Sequence, residues 1–161
     1  MTAQRENEIA AIAERILMQY GNHTFPIDPI PIAEKIGLSV WQTTLPRDVS
    51  GQILYEEKKI FIEKSDHIYR QIFSIAHELG HFLLHNDGTS HISKRDLTTK
   101  QGTDSKEIEA NHFAACLLMP KDEVQRMVDL DFALDSMANY FGISAMAMNV
   151  RLNKLGIRTY R

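Results

Sequence analysis

Five consecutive residues, His77-Glu78-Leu79-Gly80-His81, hold the most legible chemistry in this chain. They lie in a stretch whose apolar residues, Ile68, Ile72, Phe73, Ile75, Ala76, Leu79, Phe82 and Leu83, recur at helical spacing. Histidines four apart on a helix stand one turn apart on one face, so both imidazoles can reach a single metal ion. Neutral imidazole nitrogens suit Zn²⁺, at about 2.0–2.1 Å. Glu78 falls on the adjacent flank of the same turn. A carboxylate there reaches a metal-bound water without being a ligand, which is the placement of a water-activating general base.

A catalytic zinc needs a third protein ligand and an open fourth position. Four residues compete. His85 continues the histidine face, but three ligands at successive i,i+4 positions would spread over about 12 Å of helix, too far for one ion. His85 is therefore expected beside the site or on the surface. Asp87 stands ten positions after His77, where metzincins place their third ligand. The chain turn those proteins need calls for a glycine three residues earlier, and here that residue is Leu84. Glu107 and Glu109 lie on a later helix. Glu107 shares a face with Asn111, which could hydrogen-bond a ligating imidazole, and small Ala110 and Ala114 near that face permit close helix approach. Glu109 points about 200° away and is expected to be solvated. The phase favours Glu107.

The elements that must position these groups follow from period and punctuation. An N-terminal helix carries Ile9, Ile12, Ala13, Ile16, Leu17 and Tyr20 on one face and stops at Gly21. A proline-punctuated segment from Phe25 to Pro31 leads into a short helix ending at Gly37. Three strands are expected, Leu38 to Thr44, Gly51 to Glu56 and Lys59 to Glu63, forming a small antiparallel sheet with a hairpin turn at Glu56-Glu57-Lys58-Lys59. The long helix with the histidines is capped by Ser65 or Asp66 and ends at Asn86-Asp87-Gly88. Thr89 to Thr103 reads as a polar loop that could cover a cleft. Helices follow over 104–119 and from Lys121, with two more around Phe141-Gly142-Ile143-Ser144. The hairpin is expected to wall the metal cleft, its edge open to an extended peptide.

Composition narrows the class. The 161 residues are 43% hydrophobic and 24% charged, as in an ordinary globule with a sizeable core. A net charge of −3 argues against a strongly basic nucleic-acid binder. The single cysteine, Cys116, excludes an intrachain disulfide and suits a reducing, cytoplasmic compartment. The polar start, Met1 to Ala10, does not read as a signal peptide, and no apolar run approaches the ~18 residues of a membrane span.

The two metal-bearing segments, His77-Glu78-Leu79-Gly80-His81 and Glu107-Ile108-Glu109-Ala110-Asn111-His112-Phe113-Ala114-Ala115-Cys116-Leu117-Leu118-Met119-Pro120, together resemble the ImmA/IrrE family of zinc metallopeptidases in order and spacing. The resemblance spans about Phe25 to Gly156. It implies His77, His81 and Glu107 as zinc ligands and Glu78 as catalytic base. It also implies an α+β, gluzincin-like fold: a helical zincin-like domain with a small sheet and a C-terminal helical tail. On this expectation residues 1–161 are one metallopeptidase domain, with an N-terminal helix over 1–24, a zinc-binding core over 25–130 and the tail over 131–161. Family members with known roles cleave or relieve a helix-turn-helix repressor in bacterial or phage circuits, so a narrow-specificity zinc endopeptidase acting on such a repressor is the implied function. A zinc-containing regulator that binds a repressor or DNA without proteolysis is the alternative. Intact Glu78 favours the peptidase, because a binding module has no need of a base beside the metal.

Other residues carry less. Ala138 to Leu152 has the pattern of helix, glycine turn, helix, but only Arg151, Lys154 and Arg158 are basic there, so a packing unit is expected rather than a DNA reader. Cys116, among Phe113, Ala115 and Leu117, reads as a buried inert thiol. His112 beside Asn111 is a candidate oxyanion donor. His23, His67 and His91 lack partners at ligand spacing and read as surface residues.

Overall fold

The structure is a computed structural model, and it describes residues 1–86, 91–94 and 104–158. Among these residues there are seven helices: α1 (Ala3–Tyr20), α2 (Pro29–Ile36), α3 (Ile68–Leu84), α4 (Ser105–Leu118), α5 (Lys121–Asp129), α6 (Leu134–Phe141) and α7 (Ala145–Lys154). Four strands, β1 (Ser39–Thr43), β2 (Val49–Leu54), β3 (Lys59–Glu63) and β4 (His91–Lys94), make one sheet in the order β1-β3-β2-β4. The α+β architecture matches the expectation from sequence.

Local chemistry explains most element ends. Thr2 caps α1 by accepting from the Arg5 amide at 3.1 Å. Asp28 caps α2 through the Ile30 amide, with Pro29 in the first helical turn where no N–H partner is missed. Asp104 caps α4 through the Lys106 amide at 2.9 Å. The cap of α3 differs from expectation. It is His67, whose Nδ1 accepts from the Tyr69 amide at 3.1 Å, and not Ser65 or Asp66. Those two residues instead serve the turn after β3: Ser65 donates to Glu63, and the Asp66 carbonyl accepts from Gln71.

The sheet is mixed where an all-antiparallel one was expected. β2 and β3 form the expected antiparallel hairpin, but β1 runs parallel to β3, with Ser39 opposite Lys59 and Thr43 opposite Glu63. The connection from β1 to β2 steps over one strand position, and β3 fills that slot after the hairpin. Buried Glu63 holds the arrangement at its end. Its carboxylate accepts from the Leu45 amide at 2.8 Å, just past β1, and from the Ser65 amide and hydroxyl just past β3. The hairpin is also no edge: β3 is covered by β1, and β2 by β4. A peptide could therefore not add to either hairpin strand directly. Of the segment read as a covering loop, residues 91–94 form β4, and the remainder lies outside the described residues.

One apolar cluster runs from Ile9 and Ala13 of α1, through Ile53, Ile60 and Ile62 of the sheet and Leu79, Phe113 and Leu117 of the central helices, to Phe141 and Leu152 of the tail. Each fully buried side chain of this size contributes about 1.5–3 kcal/mol. Within it α3 rests against β2 and β3, while α4 lies between α3 and α1. The tail is part of the same body. Phe25 stacks on Tyr140 at 5.3 Å and meets Phe141 edge-on at 5.5 Å. Arg151 is buried and donates to the Met119 carbonyl at 3.1 Å. That inward guanidinium is unavailable to a phosphate backbone, in keeping with a packing role for α6 and α7.

Candidate metal centre

The α3 histidines and α4 meet at one point. His77 Nε2 and His81 Nε2 lie 3.1 Å apart. His81 Nε2 is 2.8 Å from one oxygen of Glu107, and His77 Nε2 is 3.1 Å from the other. All three residues are buried, and one donor atom from each lies within 4.8 Å of the other two. A tetrahedral ion with bonds of about 2.0–2.1 Å has ligand–ligand edges of about 3.3 Å, close to the observed separations. The donor set, two imidazoles and one carboxylate, suits zinc.

Hydrogen bonds on the far side of the rings support the same reading. His77 Nδ1 is 2.7 Å from Asn111 Oδ1. An amide oxygen only accepts, so Nδ1 carries the proton and a neutral His77 keeps a bare Nε2 facing the cluster. Charge points the same way. Burial is the largest influence on His77 and opposes its protonation, yet the Glu107 hydrogen bond, the charges of Glu78 and Glu107, and the Asn111 bond together raise its pKa above the ordinary value. Two buried carboxylates beside two imidazoles favour a positive charge here, which a divalent cation would supply.

Glu78 is completely buried beside the cluster. It lies against the β2 backbone at Gly51, where an added Cβ would come within 3.0 Å of Oε1 and 3.3 Å of Cγ. The β2–β4 register slips between Val49 and Gly51, bending the strand at this point. A cavity of ≈ 40 Å³, lined by Ser50, Arg70, Phe73, Ser74, His77, Glu78 and Asn111, adjoins the carboxylate and has room for a few waters. The hairpin thus forms a wall of the site, as expected, through Ser50 and Gly51. It is fastened to α3 by Tyr55, whose hydroxyl donates to the His81 carbonyl at 3.2 Å.

The approach of α3 to α4 depends on Gly80. A Cβ there would lie 2.9 Å from Phe113 Cδ1 and 3.3 Å from the Ala110 carbonyl oxygen. Both glycines carried a signal in the sequence: glycine costs a helix interior about 1 kcal/mol, and in a strand it marks close backbone approach. Ala110 lies at this crossing, as expected, its carbonyl oxygen 3.3 Å from the position of a Gly80 Cβ, and both Ala110 and Ala114 are fully buried.

Two expectations near the site need correction, those for Glu109 and His112. Glu109 is not solvated. Arg5 of α1 grips its carboxylate with two bonds, 3.0 Å and 2.8 Å, and His85 Nε2 lies 2.9 Å from it. The Arg5 hydrogen bonds, foremost, hold the Glu109 carboxyl at about 2. His85 stands beside the site, one of the two places expected for it, with its Nδ1 3.1 Å from His81 Nδ1. His112 does not face the cavity. Its Nε2 donates to the Glu6 carbonyl of α1 at 3.1 Å, on the opposite side of α4, and burial lowers its pKa. Cys116 sits beside it, with Sγ 3.6 Å from His112 Nε2. Burial raises the thiol pKa despite nearby Arg151, which leaves an inert thiol as expected.

Comparison with known proteins agrees with this geometry. The model of the Peptidase_M78 family, described as the IrrE N-terminal-like domain, matches residues 33–153, a span that holds His77, Glu78, His81 and Glu107 but not α1. Over 139 residues, 85% of this chain and 84% of the relative, the sequence is 28% identical to "Uncharacterized immunity region protein 2" of Bacillus phage phi105. Among solved structures, a "Mycobacterium tuberculosis transcriptional regulator" superposes with a TM-score of 0.71 at 22% identity, covering 93% of this chain and 48% of that one. That likeness is one of fold, and this chain spans about half the regulator's length. Among the described residues, no helix is long and apolar enough to cross a membrane.

Proposed function

The chain belongs to the Peptidase_M78 family, and on that footing we propose that it is a zinc-dependent endopeptidase of narrow specificity, with His77, His81 and Glu107 holding the metal and Glu78 acting as base. The observation that carries this reading is the convergence of two imidazole nitrogens and a carboxylate at 2.8–3.1 Å, with the buried Glu78 carboxylate beside them at a small cavity. When bound, zinc supplies Lewis acidity that lowers the pKa of a coordinated water to about 7. Glu78 takes a proton from the attacking water as its oxygen bonds the scissile carbonyl carbon. The same carboxylate then delivers that proton to the departing amide nitrogen as the C–N bond breaks. Asn111 holds His77 in orientation, and Gly51 gives Glu78 its place.

The proposed substrate is a helix-turn-helix repressor in a bacterial, phage or mobile-element circuit. Its support is the family resemblance and the phage relative, whose printed name places that protein in an immunity region. The 161 residues are proposed to work as one metallopeptidase domain in the cytoplasm. A non-proteolytic zinc regulator is the competing reading, and Glu78 separates the two. Glu78→Gln preserves size but not basicity, so it should keep zinc and fold while lowering cleavage of a co-encoded repressor by about 10²–10⁴-fold. Equal cleavage by wild type and variant would refute the base assignment. Relief of repression without any cleavage would favour the regulator.

A further inference from the structure

We propose that Arg5, Glu109 and His85 form a positioning relay that fixes the ring of His81 with its bare Nε2 toward the metal, so that α1 is a working part of the metal centre. The proposal rests on the metal reading given above and extends it to residues outside the ligand set. Its basis is an unbroken chain of contacts: Arg5 to Glu109 at 2.8 and 3.0 Å, Glu109 to His85 Nε2 at 2.9 Å, and His85 Nδ1 to His81 Nδ1 at 3.1 Å.

With His85 neutral, donor and acceptor roles along this chain follow from the groups at its outer end. A guanidinium only donates, and an ionised carboxylate only accepts. Glu109 therefore takes hydrogen bonds from Arg5 on one side and from His85 Nε2–H on the other. A neutral imidazole with its proton on Nε2 has a bare Nδ1. His85 Nδ1 thus accepts, and His81 Nδ1 must donate to it. His81 is left with its lone pair on Nε2, the atom 2.8 Å from Glu107 and 3.1 Å from His77 Nε2.

The two metal histidines are thus oriented by different means. His77 is held by one neutral amide, Asn111, from α4. His81 is held by a second histidine, which is itself held by a charged pair. An imidazole partner can present either a donor or an acceptor, so it needs a further group to fix its tautomer. Glu109 does this, and Arg5 fixes Glu109 with a bidentate grip. The side chains become more exposed along the relay, from 0% for His81 to 8% for His85, 19% for Glu109 and 32% for Arg5, which ends at the surface of α1.

The test is zinc affinity of the full chain, measured by competition with a chromophoric chelator, with thermal unfolding of the metal-free protein as a folding control. His85→Leu removes the acceptor and should weaken zinc binding about 10–100-fold, the usual cost of losing the group that orients a ligating histidine. His85→Asn places an amide oxygen near the position of Nδ1 and should stay within about threefold of wild type, since an amide oxygen can only accept. Glu109→Leu, which leaves α3 untouched, should weaken zinc about tenfold and covers the case in which His85→Leu fails to fold. Wild-type affinity in folded His85→Leu or Glu109→Leu would overturn the relay alone. Equal weakening in His85→Asn and His85→Leu would overturn it too, since packing would then be the only role of His85. Absence of zinc binding by wild type would overturn the metal reading and the relay together.

Discussion

The two interfaces of α4 use the same residue types for different ends. Toward α3, Glu107 and Asn111 meet the imidazoles of His77 and His81 at the candidate metal-ligand cluster. Toward α1, Glu109 and His112 meet Arg5 and the Glu6 carbonyl. Each face carries a glutamate, and each glutamate contacts a histidine of the α3 segment or its cap. On the α3 face the carboxylate meets two imidazole nitrogens, in a donor set that could hold a metal ion. On the α1 face, a fixed guanidinium already neutralises the carboxylate. A glutamate already gripped by a guanidinium, as Glu109 is, has its oxygens engaged and is the poorer candidate ligand.

Exchanging the two glutamates' fates is the strongest way to break this contrast. Glu107→Ala should lose zinc by more than about 10²-fold, beyond what an outer-shell change costs, whereas Glu109→Ala should remain stoichiometric in zinc at micromolar protein with about tenfold weaker affinity. Metal analysis after gel filtration, followed by chelator titration, reads both. Retention by Glu107→Ala with loss by Glu109→Ala would reverse the roles of the faces.

A second variant acts on the α3 face through packing. Gly80→Ala puts a methyl 2.9 Å from the Phe113 ring and 3.3 Å from the Ala110 carbonyl oxygen. Overpacking of this kind costs about 1–3 kcal/mol, and the forced separation should also weaken zinc. Chemical denaturation with and without zinc measures both effects. A variant as stable as wild type would mean that the helices have slack at their crossing.

The smallest effect belongs to the α1 face. His112→Leu removes the bond to the Glu6 carbonyl, which should cost about 1 kcal/mol at pH 7 while leaving zinc affinity unchanged. Burial depresses the folded-state pKa of His112, so the unfolded chain takes up its proton first as pH falls. Wild type should therefore lose stability as pH drops below about 6.5, the unfolded value, until the folded pKa is reached. His112→Leu should lack that component. Urea midpoints of metal-free protein between pH 7.5 and 5.5 test it, and parallel pH curves for the two proteins would argue against a buried neutral His112.

The contrast between the faces also marks where the sequence was informative. Helical phase correctly set Glu107 with Asn111 and turned Glu109 away, because that relation is local and depends only on residues per turn. The error was to equate the far face with solvent. A helix covered on both sides has no solvent face, and α1, which covers Glu109, comes from about a hundred residues earlier in the chain. Arg5 looks like any surface cation until that packing is known. The strand order escaped for a related reason. Alternation of Ile60 and Ile62 marks a strand and its buried side, but not which neighbour lies at its edge. Gly51 and Gly80 were different, since their unfavourable positions within a strand and a helix were visible and unused.

Gly80 has one further consequence. Its missing methyl lets the helices that carry the donors meet at Phe113 and the Ala110 carbonyl oxygen, so packing at this crossing sets their separation. The pocket is then a mould shaped before casting. Were a metal ion to bind there, little of the binding energy would be diverted into drawing the two helices together. Specificity among divalent ions would follow from the rigidity of that mould as much as from the softness of its ligands.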